Sequence, residues 1–421
     1  MISFVLTDFE SAPFDIIDGD RGKNYPKQNE FASEGHCLFL SATNVTKNGF
    51  DFSDCQFVSE QKDAVLRKGK LHRGDVVLTT RGTIGNSAYY TDVIQYDHMR
   101  INSGMVILRC DVKNMLPVYL YHFLRSPSFS GQVNSLRSGV AQPQLPIRDI
   151  KKIKLSLPPI KVQSKISSVL SAYDDLIENN RRRIQLLEQA ARLLYKEWFV
   201  HLRFPGHEHT KIVDGVPEGW EKKIIAEVCE TIGGGTPSTK VPEYWDGDIT
   251  WVVPSDITNN NSLILLESER KITEKGLRES SAKIVPAETI LMTSRASVGF
   301  FTLMDHEVCT NQGFINIVPF DDQSRMYLLF NLLSRVNEIR SNAKGTTYPE
   351  ISKSRFREMG IIIPNETLLA QFGEIAYDVI RQVRCLMRSN MNLAKARDLL
   401  LTKLLSGGIC IQGAEKLMEG L

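Results

Sequence analysis

The chain has 421 residues, 42% apolar and 24% charged, which is the composition of a folded protein and argues against large-scale disorder. Lys plus Arg number 51 against 49 Asp plus Glu, so the net charge is only +2 and bulk positive charge cannot be what grips a polyanion. No apolar run reaches the roughly 18 residues of a membrane span. The N-terminus lacks a basic n-region and meets Asp8 too early for a signal peptide. The seven cysteines show no CxxC spacing, so free thiols in a reducing cytoplasm are expected rather than a zinc ribbon or a redox dithiol.

The first loop of interest covers residues 18–27, where Arg21, Lys23 and Lys27 alternate with Gly19, Gly22, Asn24 and Tyr25. Lys and Arg suit phosphates, glycine lets backbone amides approach, and Asn can read a base edge. Residues 75–85 follow as a short apolar run ending in Thr79-Thr80-Arg81-Gly82-Thr83. Asn102-x-Gly104 precedes Met105-Val106-Ile107-Leu108, and Gly139-Val140-Ala141-Gln142-Pro143 closes the series. These read as strands and turns.

Prolines 158 and 159 then introduce a helical pattern. Ile166, Val169, Tyr173, Leu176, Asn180, Ile184, Leu187, Ala191, Leu194 and Trp198 recur at three- and four-residue steps. A helix of about 36 residues would be roughly 54 Å long, too long for the inside of one small domain. His207-Glu208-His209 has no third ligand at helical spacing and reads as a solvated linker, not a metal site.

The motifs of the first half then recur in order. Gly233-Gly234-Gly235-Thr236-Pro237-Ser238-Thr239-Lys240 is a Gly-rich turn whose spacing is not that of a P-loop. Residues 289–299 repeat the apolar run and its ending, as Thr293-Ser294-Arg295-Ala296-Ser297. Asn311-x-Gly313 precedes Phe314-Ile315-Asn316-Ile317, and Gly345-Thr346-Thr347-Tyr348-Pro349 matches the Gly139 series. A second helical line runs Phe372, Ile375, Val379, Val383, Leu386, Asn390, Leu393, Arg397, Leu400, Leu404. The chain is thus two copies of globular unit plus helix, with a period of roughly 200 residues that no solenoid has. Matched length and a matched extra four-residue step predict that the helices pair with each other. An approximate two-fold axis would make them antiparallel, with the globular units at opposite ends of a rod. The seam residues are Ile166, Val169, Tyr173, Ile184, Leu187 and Leu194 on one helix, and Phe372, Ile375, Val379, Leu386, Leu393 and Leu400 on the other.

Catalytic signatures are missing. There is no Pro-Asp dipeptide for the common nuclease pattern, and no Asn-Pro-Pro-aromatic run of N6-adenine methyltransferases. The candidates left are for DNA binding: Lys23, Asn24, Tyr25, Arg81, Thr83 and Gln142 in the first half, and Thr236, Ser238, Lys240, Arg295, Ser297, Thr346 and Tyr348 in the second. Arg81 and Arg295 stand out, since each follows a strand at the same place. Each could instead be an ion-pair partner inside its own domain.

Several stretches together resemble the specificity (S) subunits of type I restriction–modification systems. They are Leu157-Pro158-Pro159-Ile160, residues 163–170 and 174–184, and Leu193-Leu194-Tyr195-Lys196-Glu197-Trp198-Phe199-Val200. Phe204-Pro205-Gly206-His207-Glu208, Val216-Pro217-Glu218-Gly219-Trp220, residues 233–245, residues 251–257 and residues 399–407 extend the likeness over nearly the whole chain. The resemblance implies an α+β protein: two mixed α/β target recognition domains, joined and spaced by two long antiparallel helices. The expected boundaries are 1–154 for the first recognition domain, 155–200 for the central spacer helix and 201–363 for the second recognition domain with its entry linker. The distal spacer helix follows at 364–408 and a tail at 409–421. The resemblance further implies a non-catalytic cytoplasmic subunit that reads a split, asymmetric site on double-stranded DNA. Two modification (methyltransferase) subunits would dock on its helices, together with restriction (translocase and nuclease) subunits. No cofactor is expected in this chain; S-adenosylmethionine, ATP and Mg would belong to the partners. The rival readings are a coiled-coil adaptor that binds only proteins, and a stand-alone nuclease.

Overall fold

The apolar runs that recur in the two halves become inner strands of two matching sheets. In the computed structural model, residues 4–136, 143–345 and 348–405 are described. The chain forms two compact units, one comprising residues up to Ile177 together with those from Asn392 onward, the other Glu178–Met391.

In the first unit a four-stranded antiparallel sheet has the order Phe14–Asp18, Met105–Cys110, Val76–Thr79, Ser87–Tyr89. The second unit repeats it as Cys229–Gly233, Phe314–Pro319, Ile290–Thr293, Phe301–Thr302. Both Val76–Thr79 and Ile290–Thr293 are buried throughout. Alternation of side chains explains why. Val76 and Leu78 enter one core cluster while Val77 enters another, and Ile290 and Met292 are likewise separated from Leu291. A strand covered on both faces needs an unbroken apolar run, which is what the sequence has.

Two smaller features also repeat. Cys37–Leu40 runs parallel to Met99–Ile101, as the end of Trp245–Val252 does to Val308–Thr310. Val5–Asp8 pairs with Lys154–Leu157 in the first unit, and Glu221–Ile224 with Gly360–Ile363 in the second. Tyr119 donates to the Ser156 carbonyl at 2.6 Å, and Tyr327 donates to the Ile362 carbonyl in the corresponding place.

The central helix is Ile160–Tyr195, continued by a π-helical turn, Lys196–Val200. The distal helix is Glu366–Leu405, and Asn365 caps it by accepting from the Leu368 N–H at 2.9 Å. The expected pairing is present. Within the second unit, Asn180 donates to Asn390 at 2.9 Å while the Tyr195 ring lies 5.9 Å from that of Phe372, so the helices run antiparallel.

The seam differs in detail from the sequence pattern. Ile166, Val169, Tyr173, Ile184, Phe372, Leu393 and Leu400 are buried. Ile375, however, is 44% exposed and Ala376 is buried instead, just as Leu176 yields to Ile177. Val379, Leu187, Leu194 and Leu386 are half-buried, flanking the buried Ile380, Glu188 and Tyr195. The cause is geometric. An α-helix drifts about 20° per heptad away from a strict 3.5-residue repeat. Each helix also packs on short helices of its unit, so its buried face is wider than a two-position seam.

A polar cluster marks the first unit. Arg125 donates to Asp174 at 2.6 Å, and Arg397 of the distal helix donates to the other carboxylate oxygen at 2.5 Å. His122 lies 3.7 Å from the same carboxylate and 3.2 Å from the Ser171 hydroxyl.

Candidate nucleic-acid interface

In each unit the strand ends gather the predicted loops at one end of the four-stranded sheet. In the second unit, Gly233 is paired with Ile315 and Thr293 with Phe314. The loops leaving these strands therefore start side by side. In the first unit Asp18 is paired with Val106 and Thr79 with Met105, with the same consequence.

A common hydrogen-bond frame holds the loops. Thr79 donates through its hydroxyl to the Thr83 carbonyl and accepts from the Asn86 N–H at 3.0 Å. Thr293 does the same with the Ser297 carbonyl and the Phe300 N–H, again at 3.0 Å. The Thr80 N–H donates to the Gly104 carbonyl at 2.7 Å, and the Ser294 N–H to the Gly313 carbonyl at 2.7 Å. Asn102 and Asn311 each accept, through the side-chain oxygen, from the N–H two residues on at 2.8 Å. Gly82 sits at φ 71° and its counterpart Ala296 at φ 61°, so one copy holds an L-residue in left-handed backbone.

On this frame the two arginines part company. Arg81 is exposed and has no side-chain partner among the described residues. Arg295 donates to Glu350 at 2.8 Å, an ion pair with both side chains more than 40% exposed. The ion-pair reading thus describes Arg295. Thr83 lies beside Arg81, but its hydroxyl donates inward to the Ala42 carbonyl at 3.1 Å. Ser297 is half-buried.

The loop after Phe14–Asp18 is stapled by Asp20, which accepts from the N–H of Gly22 at 2.7 Å and of Arg67 at 2.8 Å. Those backbone donors hold its carboxyl below the usual carboxylate range despite burial. Here three expectations separate. Lys23 is exposed, with no ion-pair partner among the described residues. Asn24 instead donates to the Val65 carbonyl at 3.2 Å, and the Tyr25 ring packs edge-on against Phe39 at 5.7 Å. Asn24 and Tyr25 therefore brace the loop, because a small satellite core lies beneath it. Arg21, Arg67 and Lys68 line the adjoining cleft of about 450 Å³.

In the second unit, Thr236 donates to Gln312, and the exposed Ser238 accepts from the Lys240 N–H at 3.3 Å. Lys240 is exposed and Tyr348 is 73% exposed. Two indoles pin this loop: Trp251 donates to the Gly235 carbonyl at 2.9 Å and Trp245 to the Ser238 carbonyl at 3.1 Å. The Arg270 guanidinium lies 3.7 Å from the Trp245 ring centre. A Cβ on Gly234 would sit 2.0 Å from the Asn311 carbonyl oxygen, and one on Gly235 would sit 2.2 Å from that of Ser281. Gly235→Ala should therefore displace the loop and destabilise the unit by about 1–3 kcal/mol, read as a lowered melting temperature. An unchanged melt would show that the loop has room to give.

Gln142 and Thr346 lie outside the described residues. The tryptophan anchors entered the sequence reading only as part of the family resemblance, without a role, and Gln312 was not singled out. The repeat Asn-x-Gly was visible, and its middle residue is the signal that would have found Gln312. Among the described residues no group of three or more His, Cys, Asp or Glu side chains could hold a metal ion, and no helix is long and apolar enough to cross a membrane.

A family profile described as "Type I restriction modification DNA specificity domain" matches residues 14–189 and 217–368. The MjaIX type I restriction enzyme specificity subunit of Methanocaldococcus jannaschii is 35% identical over 189 residues, 43% of this chain and 44% of that protein. The match thus spans less than half the length of that relative. The HindI type I restriction enzyme specificity subunit of Haemophilus influenzae is 24% identical over 456 residues, covering 93% of this chain and 98% of that protein. A crystal structure of the type I restriction-modification system S subunit from M. genitalium shares the fold, with a TM-score of 0.55 at 14% identity over 96% of each chain. The two stretches matched by the profile contain the two four-stranded sheets and the loops at their ends.

Proposed function

The chain belongs to the family of type I restriction modification DNA specificity domains, of which it carries two copies, and on that premise we propose that it is the non-catalytic DNA-recognition subunit of a type I restriction–modification complex. Each unit reads one half of a split, asymmetric target on double-stranded DNA. The observation that carries this reading is the repeated loop frame: one backbone scaffold, present twice, with different side chains mounted on it. Two readers built alike but dressed differently suit a target of two unlike words. The family match favours this over a coiled-coil adaptor or a stand-alone nuclease.

The paired helices act as the spacer that sets the gap between the words, and as the dock for two methyltransferase subunits. Leu186, Leu193 and Val200 of the central helix and its π-helical turn lie seven residues apart and are all more than half exposed, an outward apolar stripe that suits a partner helix. Restriction subunits complete the assembly in the cytoplasm, and S-adenosylmethionine, ATP and Mg serve the partners.

The test is a salt titration of duplex binding by the full chain. Affinity should fall steeply with salt, because phosphate contacts release counterions. Arg81→Ala should weaken binding to all sequences alike and reduce the logarithmic salt slope by about one unit. Arg295→Ala should do less, since Glu350 already offsets its charge. Binding that is absent, or indifferent to salt, would overturn the reading.

A further inference from the structure

We propose that Gln312 is a base-reading residue of the second unit and that the base it reads is adenine; the proposal rests on the DNA-recognition reading above. The turn Asn311-Gln312-Gly313 connects Val308–Thr310 to Phe314–Pro319. Its flanks are fixed. The Asn311 N–H donates to the Val252 carbonyl at 3.0 Å, the Asn311 side chain accepts from the Gly313 N–H at 2.8 Å, and the Gly313 carbonyl accepts from the Ser294 N–H at 2.7 Å. The Gln312 side chain is exposed. Backbone placement and side-chain freedom are thus separated at this position, as direct readout requires.

The first unit gives the comparison. Its turn Asn102-Ser103-Gly104 has the same side-chain-to-backbone bond and the same bond to the neighbouring loop. The frame is common to both copies, but the middle residue is an exposed carboxamide, Gln312, in one and a half-buried hydroxyl, Ser103, in the other. Two readers with different words need such a difference where the backbone does not differ.

Chemistry selects the base. The Thr236 hydroxyl donates to Gln312 Oε1, which orients the carboxamide and leaves that oxygen a second lone pair. Nε2 has no partner among the described residues. The amide therefore presents one acceptor and one donor side by side. That pair matches the N6 amino group and N7 of adenine in the major groove. Guanine offers O6 and N7, both acceptors, which would face the amide oxygen with a lone pair. Lys240, exposed on the same loop as Thr236, supplies a cation for the adjoining phosphates.

The experiment is selection of bound duplexes from a randomised pool by the full chain purified from its own host. Wild type, Gln312→Ala and Gln312→Glu are compared, with thermal unfolding as the check on folding. Gln312→Ala should relax one position in the half-site of the second unit, lowering the preference for adenine there about 5- to 150-fold, and leave the other half-site unchanged. Gln312→Glu, which keeps the acceptor and loses the donor, should shift that position towards cytosine, whose N4 amino group suits a carboxylate. Thr236→Val should relax the same position and no other. Unchanged preferences in folded Gln312→Ala would overturn the proposal, as would a loss of affinity uniform across sequences. A wild-type chain that selects no word would instead overturn the recognition reading itself.

Discussion

Asp174→Ala should destabilise the first unit by about 3–5 kcal/mol, because it strands the Arg125 guanidinium in a largely buried site and leaves Arg397 only its ion pair with Asp398 at 2.8 Å. Arg125 and Arg397 have side chains only 17% and 14% exposed, and both are paired with this one carboxylate. Urea unfolding at neutral pH measures the loss; a change under 1 kcal/mol would mean that water reaches the arginines and replaces the ion pair. Acid should act on the same cluster through two groups. Burial opposes the Asp174 charge, but Arg125 and Arg397 outweigh it and hold the carboxyl below the usual range. Its contribution is complete above the unfolded value of about 3.9 and is lost as pH falls below that. Burial pushes the His122 imidazole down to about 4, against the attraction of Asp174. The unfolded chain, with a histidine value of about 6.5, therefore takes up the proton first. Stability from the neutral ring is present in full above about pH 6.5 and is lost by about pH 4, a difference of about 3 kcal/mol. Phe330 stands at the equivalent place in the second unit, three residues after the tyrosine that bonds the last strand. His122→Phe should flatten the fall in stability between pH 6.5 and 4; an equal fall in wild type and variant would show that other groups carry it.

Phe372→Ala should cost the second unit about 3–5 kcal/mol. The ring is fully buried and meets those of Tyr195, Trp198, Phe199 and Phe330 at centroid distances of 5.1–6.1 Å. Tyr195 belongs to the central helix, Trp198 and Phe199 to its π-helical turn and Phe330 to a short helix of the unit, so the cavity would open where three helices meet. Phe372→Leu should recover more than half of the loss, measured by thermal unfolding. Equal effects of Ala and Leu would point to the edge-on ring contacts rather than to volume.

The duplication was legible because it is written in strings of residues: apolar strand, hydroxyl, arginine, small residues, glycine. Each string maps onto a strand and its turn. The helices were legible from periodicity, but Ile375 and Leu176 were not, since periodicity alone does not say which neighbours share a face. At those two positions the helical drift and the packing of short helices moved burial by one residue. The loops were the least readable. Lys23, Asn24 and Tyr25 are adjacent and chemically apt for DNA, yet a core under the loop takes the tyrosine and the Val65 carbonyl takes the asparagine. Arg81 and Arg295 occupy matching places, and only the position of Glu350 separates their surroundings. Such distinctions depend on residues distant in sequence, so no local pattern announces them.

Ala296 shows what the shared frame tolerates. It holds φ 61° where the other copy uses glycine, and its N–H still reaches the Pro349 carbonyl at 2.9 Å. A turn that survives such a replacement is governed by bonds among backbone atoms and by the Thr and Asn side chains of the frame, not by the groups pointing outward. Heritable changes at positions such as 103 and 312 are then nearly silent for folding. On the proposed reading, one half of a split target could then be rewritten while the other is inherited intact, and novelty in specificity could accumulate in a lineage without a compensating change in the scaffold.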